Sequence, residues 1–219
     1  MKQYELIIFD WDGTLMDSVG KIVIAVQAMA RVVSLNDVTI TVPTESAIRD
    51  VIGLSLDKSM RVLFPQRLDK DYVELVAAYK RQFSSMSQVP SPLFDTADTL
   101  LTRLAALNYR LAVATGKGRI GLDRVLNETG LQSLFGTTRS SDETQSKPHP
   151  QMLNEILAEL NVASNRALMV GDSIHDLAMA NAAGVDAIGV SYGAHSRERL
   201  QSARPKAVID SPLELLLHL

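Results

Sequence analysis

Apolar positions along this chain follow two alternating signatures. Short aliphatic runs at Leu6–Phe9, Arg110–Thr115, Ala167–Val170 and Ala187–Val190, with Ala207–Ile209 as a weaker fifth, each end in a polar or glycine-containing turn. That is the pattern of strands covered on both faces. Between them, apolar residues recur with the helical 3.6-residue period. Leu100, Leu101, Leu104 and Leu107 follow Thr96, a residue type that caps helices. Arg119 to Thr129 runs up to Gly130, placed as a left-handed terminating residue, and Ile174 to Ala183 stops at Gly184. Met152, Leu153, Ile156, Leu157 and Leu160 follow Pro150, which suits a first helical position. Strand and helix alternating in this way predict right-handed crossovers and a doubly wound parallel α/β sheet.

Val19 to Val89 interrupts the alternation. Helical patterns at Val19–Val33, Thr44–Ile52, Leu56–Phe64 and Asp71–Phe83 succeed one another with no strand signal, and Pro90-Ser91-Pro92 marks the return. Strand-to-strand connections rarely run so long. The segment therefore reads as an inserted α-helical cap domain, residues 17–91, on a core formed by residues 1–16 and 92–219. Hinges are expected near Met16–Ser18 and Pro90–Phe94, where the chain crosses between the two.

Polar clusters stand where strands end. The first is Asp10-Trp11-Asp12-Gly13-Thr14, directly after Ile7-Ile8-Phe9. Extended geometry sends alternate side chains to one side, so Asp10 and Asp12 can face one crevice. Two such anions repel unless a cation lies between them or one is protonated. In open α/β sheets that crevice, beyond the strand C-termini, is where ligands bind. The second cluster is Thr115-Gly116-Lys117, whose hydroxyl and turn amides can hold phosphate oxygens, as helix N-termini do. The third is Lys147-Pro148-His149-Pro150, a cation fixed by a rigid segment. The fourth, Gly171-Asp172-Ser173-Ile174-His175-Asp176, spaces two acids four apart, able to share a helical face. Together these acids make an all-oxygen site, which favours Mg²⁺ over zinc or copper. His149 and His175 read as hydrogen-bonding loop residues and Trp11 as a packing residue. Arg49, Lys58 and Arg61 are the cations of the insertion placed to meet an anionic substrate.

Composition narrows the partners. The chain has 219 residues, 46% hydrophobic and 21% charged, with a net charge of −3 and no cysteine. Thiolate chemistry and disulfides are excluded, and no bulk positive charge suits a nucleic acid. No apolar stretch reaches the roughly 18–20 residues of a membrane span. The apolar run after the N-terminal lysine is too short for a signal peptide. A cytoplasmic protein, monomeric or weakly homodimeric, with no membrane partner is expected.

The order and residues of these clusters resemble the haloacid dehalogenase superfamily, in its phosphatase-like branch with a helical cap after the first strand. The specific pieces are Asp10-Trp11-Asp12-Gly13-Thr14-Leu15-Met16-Asp17-Ser18 and Gly171-Asp172-Ser173-Ile174-His175-Asp176. Among its members the chain looks most like phosphoglycolate-phosphatase-type hydrolases. The resemblance implies Asp10 as nucleophile and Asp12 as general acid/base, with Thr115 and Gly116 holding the phosphoryl group and Lys147 neutralising nucleophile and phosphate. It implies Mg²⁺ at Asp10, Asp12 (through its backbone carbonyl) and Asp172, with Asp176 in support. A small phosphorylated metabolite is the implied substrate, and Arg49 is the expected cap contact to an anionic leaving group. Two other readings share parts of the pattern: a phosphomutase of the β-phosphoglucomutase type, and a phospho-receiver signalling domain, which would have no use for the insertion.

Overall fold

A computed structural model describes residues 3–86, 88–89 and 91–219. Six parallel strands form one sheet: β1 (Leu6–Phe9), β2 (Arg110–Ala114), β3 (Thr137–Arg139), β4 (Ala167–Gly171), β5 (Asp186–Val190) and β6 (Ala207–Ile209). Their spatial order is β3-β2-β1-β4-β5-β6. Alternate residues of β1 go to opposite faces, as the pleat requires. Ile7 and Phe9 pack with Leu111 and Val113 against Leu101 and Leu104 of α5 (Ala97–Ala106) and Leu122 of α6 (Arg119–Thr129). Leu6 and Ile8 pack with Ala112 and Ala114 against Leu153 and Ile156 of α7 (Gln151–Leu160) and Leu177 of α8 (Ile174–Ala183). The five expected strands are present.

The sixth, β3, has no apolar run to announce it. Its Thr-Thr-Arg sequence lies at the sheet edge, where Arg139 pairs with Glu155 at 2.7 Å and Glu159 at 2.6 Å on α7. Two cap expectations need correction. Thr96 precedes α5 in a left-handed conformation, φ 67°, and its side chain makes no capping bond. Pro150 stands one position before α7 rather than inside it. Gly130 and Gly184 do end their helices in the left-handed region, at φ 70° and 66°.

The insertion contains α1 (Val19–Ser34), α2 (Glu45–Arg49), α3 (Leu56–Leu63) and α4 (Asp69–Ser85). Val26, Met29, Ile48, Met60, Tyr72 and Leu75 of these helices join Ile40 and Phe64 of the connecting segments in a hydrophobic cluster. The two connecting strands of chain run side by side: Asp17 N–H donates to Pro92 O at 2.8 Å, and Phe94 N–H to Leu15 O at 2.9 Å. Pro90, part of the second expected hinge, lies outside the described residues. A last helix of the core, α9 (Arg197–Ser202), packs beside β5 and β6.

The burial pattern predicts the distribution of stability. Ile156 is fully buried, whereas Leu35 is 82% exposed. Ile156→Ala should cost about 2–5 kcal/mol in urea unfolding, and Leu35→Ala within about 0.5 kcal/mol. Equal losses at the two positions would contradict this packing.

Candidate active site

The central strands β2, β1 and β4 end side by side, where the strand order reverses direction. Loops part there, leaving a crevice beyond the strand ends. Asp10 leaves β1 with its N–H bonded to Val170 O at 3.0 Å, and Asp172 directly follows β4. Gly13, at φ 83°, turns the chain back under Asp172, and a Cβ there would collide with the Asp172 carboxylate. Only glycine fits both the conformation and the space.

Asp10, Asp172 and Asp176 are buried and bring one carboxylate oxygen each within 4.8 Å of the others. Lys147, equally buried, reaches Asp10 Oδ1 at 3.0 Å and Asp176 Oδ1 at 2.6 Å. The other Asp176 oxygen accepts the Ser173 N–H at 3.1 Å and hydroxyl at 2.6 Å, closing a capping box at the start of α8. Asp172 accepts the Thr14 hydroxyl at 3.0 Å and the Ala194 N–H at 2.7 Å. Asp10 Oδ1 faces the ammonium but receives no well-directed hydrogen bond.

Three carboxylates around one ammonium leave two negative charges uncompensated if all ionise. Protonation answers the excess. Burial, reinforced by Asp176 and opposed by Lys147, pushes the Asp10 carboxyl up to about 7. Burial together with the charges of Asp10 and Asp176 raises Asp172 well above the carboxylate range. Burial works against the Lys147 ammonium, but Asp10 and Asp176 outweigh it and hold the lysine charged. An oxygen-only donor set with surplus negative charge and an oxygen lacking a directed donor suits a hard divalent cation such as Mg²⁺.

Asp12 stands apart from this cluster. Its carboxylate receives the Ser18 hydroxyl at 2.6 Å and pairs with Lys117 Nζ at 2.9 Å. Asp12 and Asp10 nonetheless line one cavity of about 310 Å³ with Thr115, Gly116 and Lys117. The Thr115 hydroxyl accepts the Lys117 N–H at 3.2 Å, which fixes the turn after β2. The insertion lines one side of the cavity. A Cβ on Gly116 would come within 2.5 Å of Leu54 O and 2.7 Å of Gly53 O, so the α2–α3 loop rests directly on this turn. The same loop is tied down by Ser55 N–H to Ser146 Oγ at 2.8 Å and by His175 Nε2 to Asp50 O at 2.9 Å.

The structure thus gathers Asp10, Asp172, Asp176 and Lys147, with Asp12, Thr115 and Gly116 opposite them. Arg49 is not among them. It pairs with Glu45 at 2.8 Å and donates to Gly193 O at 3.3 Å, and it is not among the residues that line the cavity. Arg61 is engaged with Asp57 and Asp69 on the surface, and Lys58 donates to Lys147 O at 3.4 Å. Sequence reasoning missed the supporting hydroxyls of Thr14 and Ser18, although both lie in the first motif. It also missed Tyr79, Lys80 and Phe83, which reach the cavity from α4. Nothing in α4 marks them, because a cavity-lining stripe and a packed stripe have the same period.

Comparison with known proteins agrees with this geometry. The family model described as haloacid dehalogenase-like hydrolase matches residues 7–190. Probable phosphatase IndB of Dickeya dadantii is 34% identical over 215 residues, covering 96% of this chain and 91% of that protein. A phosphoglycolate phosphatase of Colwellia psychrerythraea is 30% identical, covering 100% of this chain and 98% of the relative. The crystal structure of a predicted phosphatase from Clostridium acetobutylicum superposes with a TM-score of 0.85 at 26% identity, covering 100% of both chains. By its motifs, its strand order and a match running from β1 to β5, the chain belongs to the haloacid dehalogenase-like hydrolase family.

Proposed function

We propose that this protein is a Mg²⁺-dependent phosphomonoesterase of small phosphorylated metabolites, working through an aspartyl-phosphate on Asp10. The observation that carries the reading is the placing of buried Asp10 between Lys147 and the two further carboxylates, at the floor of a cavity that also exposes Asp12, Thr115 and Gly116. Phosphoglycolate, named by several relatives, is the reference ester of this class.

In this reading Asp10, Asp172 and the Asp12 carbonyl hold the cation, with Asp176 in support. When bound, Mg²⁺ would neutralise phosphoryl oxygens and offset their repulsion from Asp10. The Asp10 carboxylate attacks phosphorus while the ester P–O bond breaks, and Asp12 gives a proton to the departing alkoxide. Asp12 then takes a proton from water, which attacks the aspartyl-phosphate and releases inorganic phosphate with Asp10 restored. Lys147 balances charge on Asp10 and the transferring group, and Thr115 with the Gly116 amide holds its oxygens. Ser18 and Lys117 orient the Asp12 carboxylate. The helical insertion, residues 17–91, acts as a cap that excludes water. No described helix is long and apolar enough to cross a membrane. We place the protein in the cytoplasm as a monomer or weak homodimer.

Phosphate release from a panel of esters tests the reading. Turnover should vanish in EDTA and return with Mg²⁺, and Asp10→Asn should lower it by at least about 10³-fold while the fold persists. Full turnover in chelator, or an active Asp10→Asn variant, would overturn it. Isomerisation of a sugar 1-phosphate without phosphate release would assign the mutase instead.

The proton-sharing cluster also sets a pH dependence. Asp10 rises from 3.8 to about 7 on folding and Asp172 rises too, so near neutrality the folded state holds protons that the unfolded chain releases. That contribution is complete at low pH and is lost as pH climbs through about 7. Burial, together with Arg199 and His175, lowers His195 to about 4, which acts in the opposite sense only below 6.5. From about pH 6.5 to 8.5, metal-free protein should therefore lose thermal stability, and Mg²⁺ should flatten the slope. A metal-free midpoint that stays level or rises across this range would contradict the shared protons.

A further inference from the structure

The cavity above Asp10 differs sharply between its two sides. The sheet side carries the polar groups already described. The insertion side presents Val26, Ile48, Met60, Leu63, Tyr79 and Phe83. Tyr79 and Phe83 stand one helical turn apart on α4 with ring centroids 5.7 Å apart and planes tilted by 33°, forming a continuous aromatic wall. The ammonium groups of Lys21 and Lys117 lie 4.9 and 5.7 Å from the Phe83 ring centre, which pins that ring in place.

A carboxylate beside the phosphoryl group would need fixed donors at this wall, because an ion without them loses its hydration uncompensated. The groups on hand are otherwise engaged or in water. The Ser59 hydroxyl donates to Val51 O at 3.1 Å, Lys117 is paired with Asp12 at 2.9 Å, and Arg49 is taken up by Glu45 at 2.8 Å and the Gly193 carbonyl at 3.3 Å. Lys80 and Arg124 line the cavity but are exposed to solvent. The Tyr79 phenol stays protonated, since burial and the Asp12 charge both raise it, so it offers one neutral donor. Apolar surface dominates what remains, and the volume of about 310 Å³ lies at the lower end of small-ligand pockets.

We infer that the cap side of this cavity selects a phosphate ester whose leaving group is an uncharged apolar or aromatic body, with Tyr79 and Phe83 as specificity-determining residues, and disfavours the carboxylate of phosphoglycolate. The inference rests on the phosphomonoesterase reading and narrows its substrate class.

The test compares benzyl phosphate with phosphoglycolate on the Mg²⁺-loaded enzyme, since both release a primary alkoxide. The kcat/KM should favour benzyl phosphate by at least about tenfold, the scale on which pocket contacts discriminate. Phe83→Ala should shrink that ratio by about tenfold through KM for the benzyl ester, and Phe83→Tyr should restore most of it. A separate binding measurement is free of the chemistry: benzylphosphonate should bind the folded Asp10→Asn variant more tightly than phosphonoacetate does. Faster turnover of phosphoglycolate, a ratio unmoved by Phe83→Ala, or tighter binding of phosphonoacetate would overturn the substrate class and leave the phosphatase standing. Release of phosphate from neither ester nor any other in the panel would remove both.

Discussion

Lys147 is the charge on which the centre of this molecule depends. A fully buried ammonium is costly unless paired, and here its partners, Asp10 and Asp176, are buried as well. Removing Lys147 would leave three buried carboxylates with no cation among them, whereas removing one acid only lessens the negative excess. Lys147 comes from the loop between β3 and α7, Asp10 from the position directly after β1, and Asp176 from the first turn of α8. The ion pairs therefore join three segments distant in sequence at the point where the strand order reverses. The same arrangement carries more negative than positive charge, and this imbalance links structure to chemistry. Burial and mutual repulsion raise the Asp10 and Asp172 carboxyls in the metal-free protein, and a divalent cation beside a phosphate ester relieves the same excess in the proposed reaction.

Asp176 shows how one side chain serves architecture and chemistry together. One oxygen closes the capping box of α8 with Ser173, and the other meets Lys147. The helix that positions the acid is thus capped by it. Glycine permits the crowding around the cluster. Gly13 allows the first loop to pass beneath Asp172, and Gly116 allows the insertion to rest on the turn after β2. At Gly13 the Asp172 carboxylate, and at Gly116 the backbone of Gly53 and Leu54, occupy the space a side chain would take.

Much of the fold was legible because its central strands are buried on both faces and two of its helices, α6 and α8, end in left-handed glycines. Leu6–Phe9 carries the first signal and Gly184 the second. The β3 strand was not legible, since three polar edge residues give neither a run nor an alternation. Part of the polar centre was readable because Asp10, Thr115 and Asp172 follow strands directly, and chain topology alone then gathers them. The cap side was not. Arg49 has the right charge but spends it on Glu45 and on the Gly193 carbonyl, whereas Tyr79 and Phe83 look in sequence like any apolar helix face. Motifs report groups fixed by local backbone, while a cavity wall is decided by how helices pack.

The claim that a charge deficit among Asp10, Asp172 and Asp176 creates the cation site is tested most directly by calorimetry. Mg²⁺ would be titrated into metal-free protein and into Asp172→Asn at pH 7, in two buffers of different ionisation enthalpy. The account predicts one saturable site whose heat changes with the buffer, because protons leave as the cation enters, and markedly weaker binding in the variant. The absence of saturable binding, a heat independent of buffer, or equal affinity in the variant would contradict it.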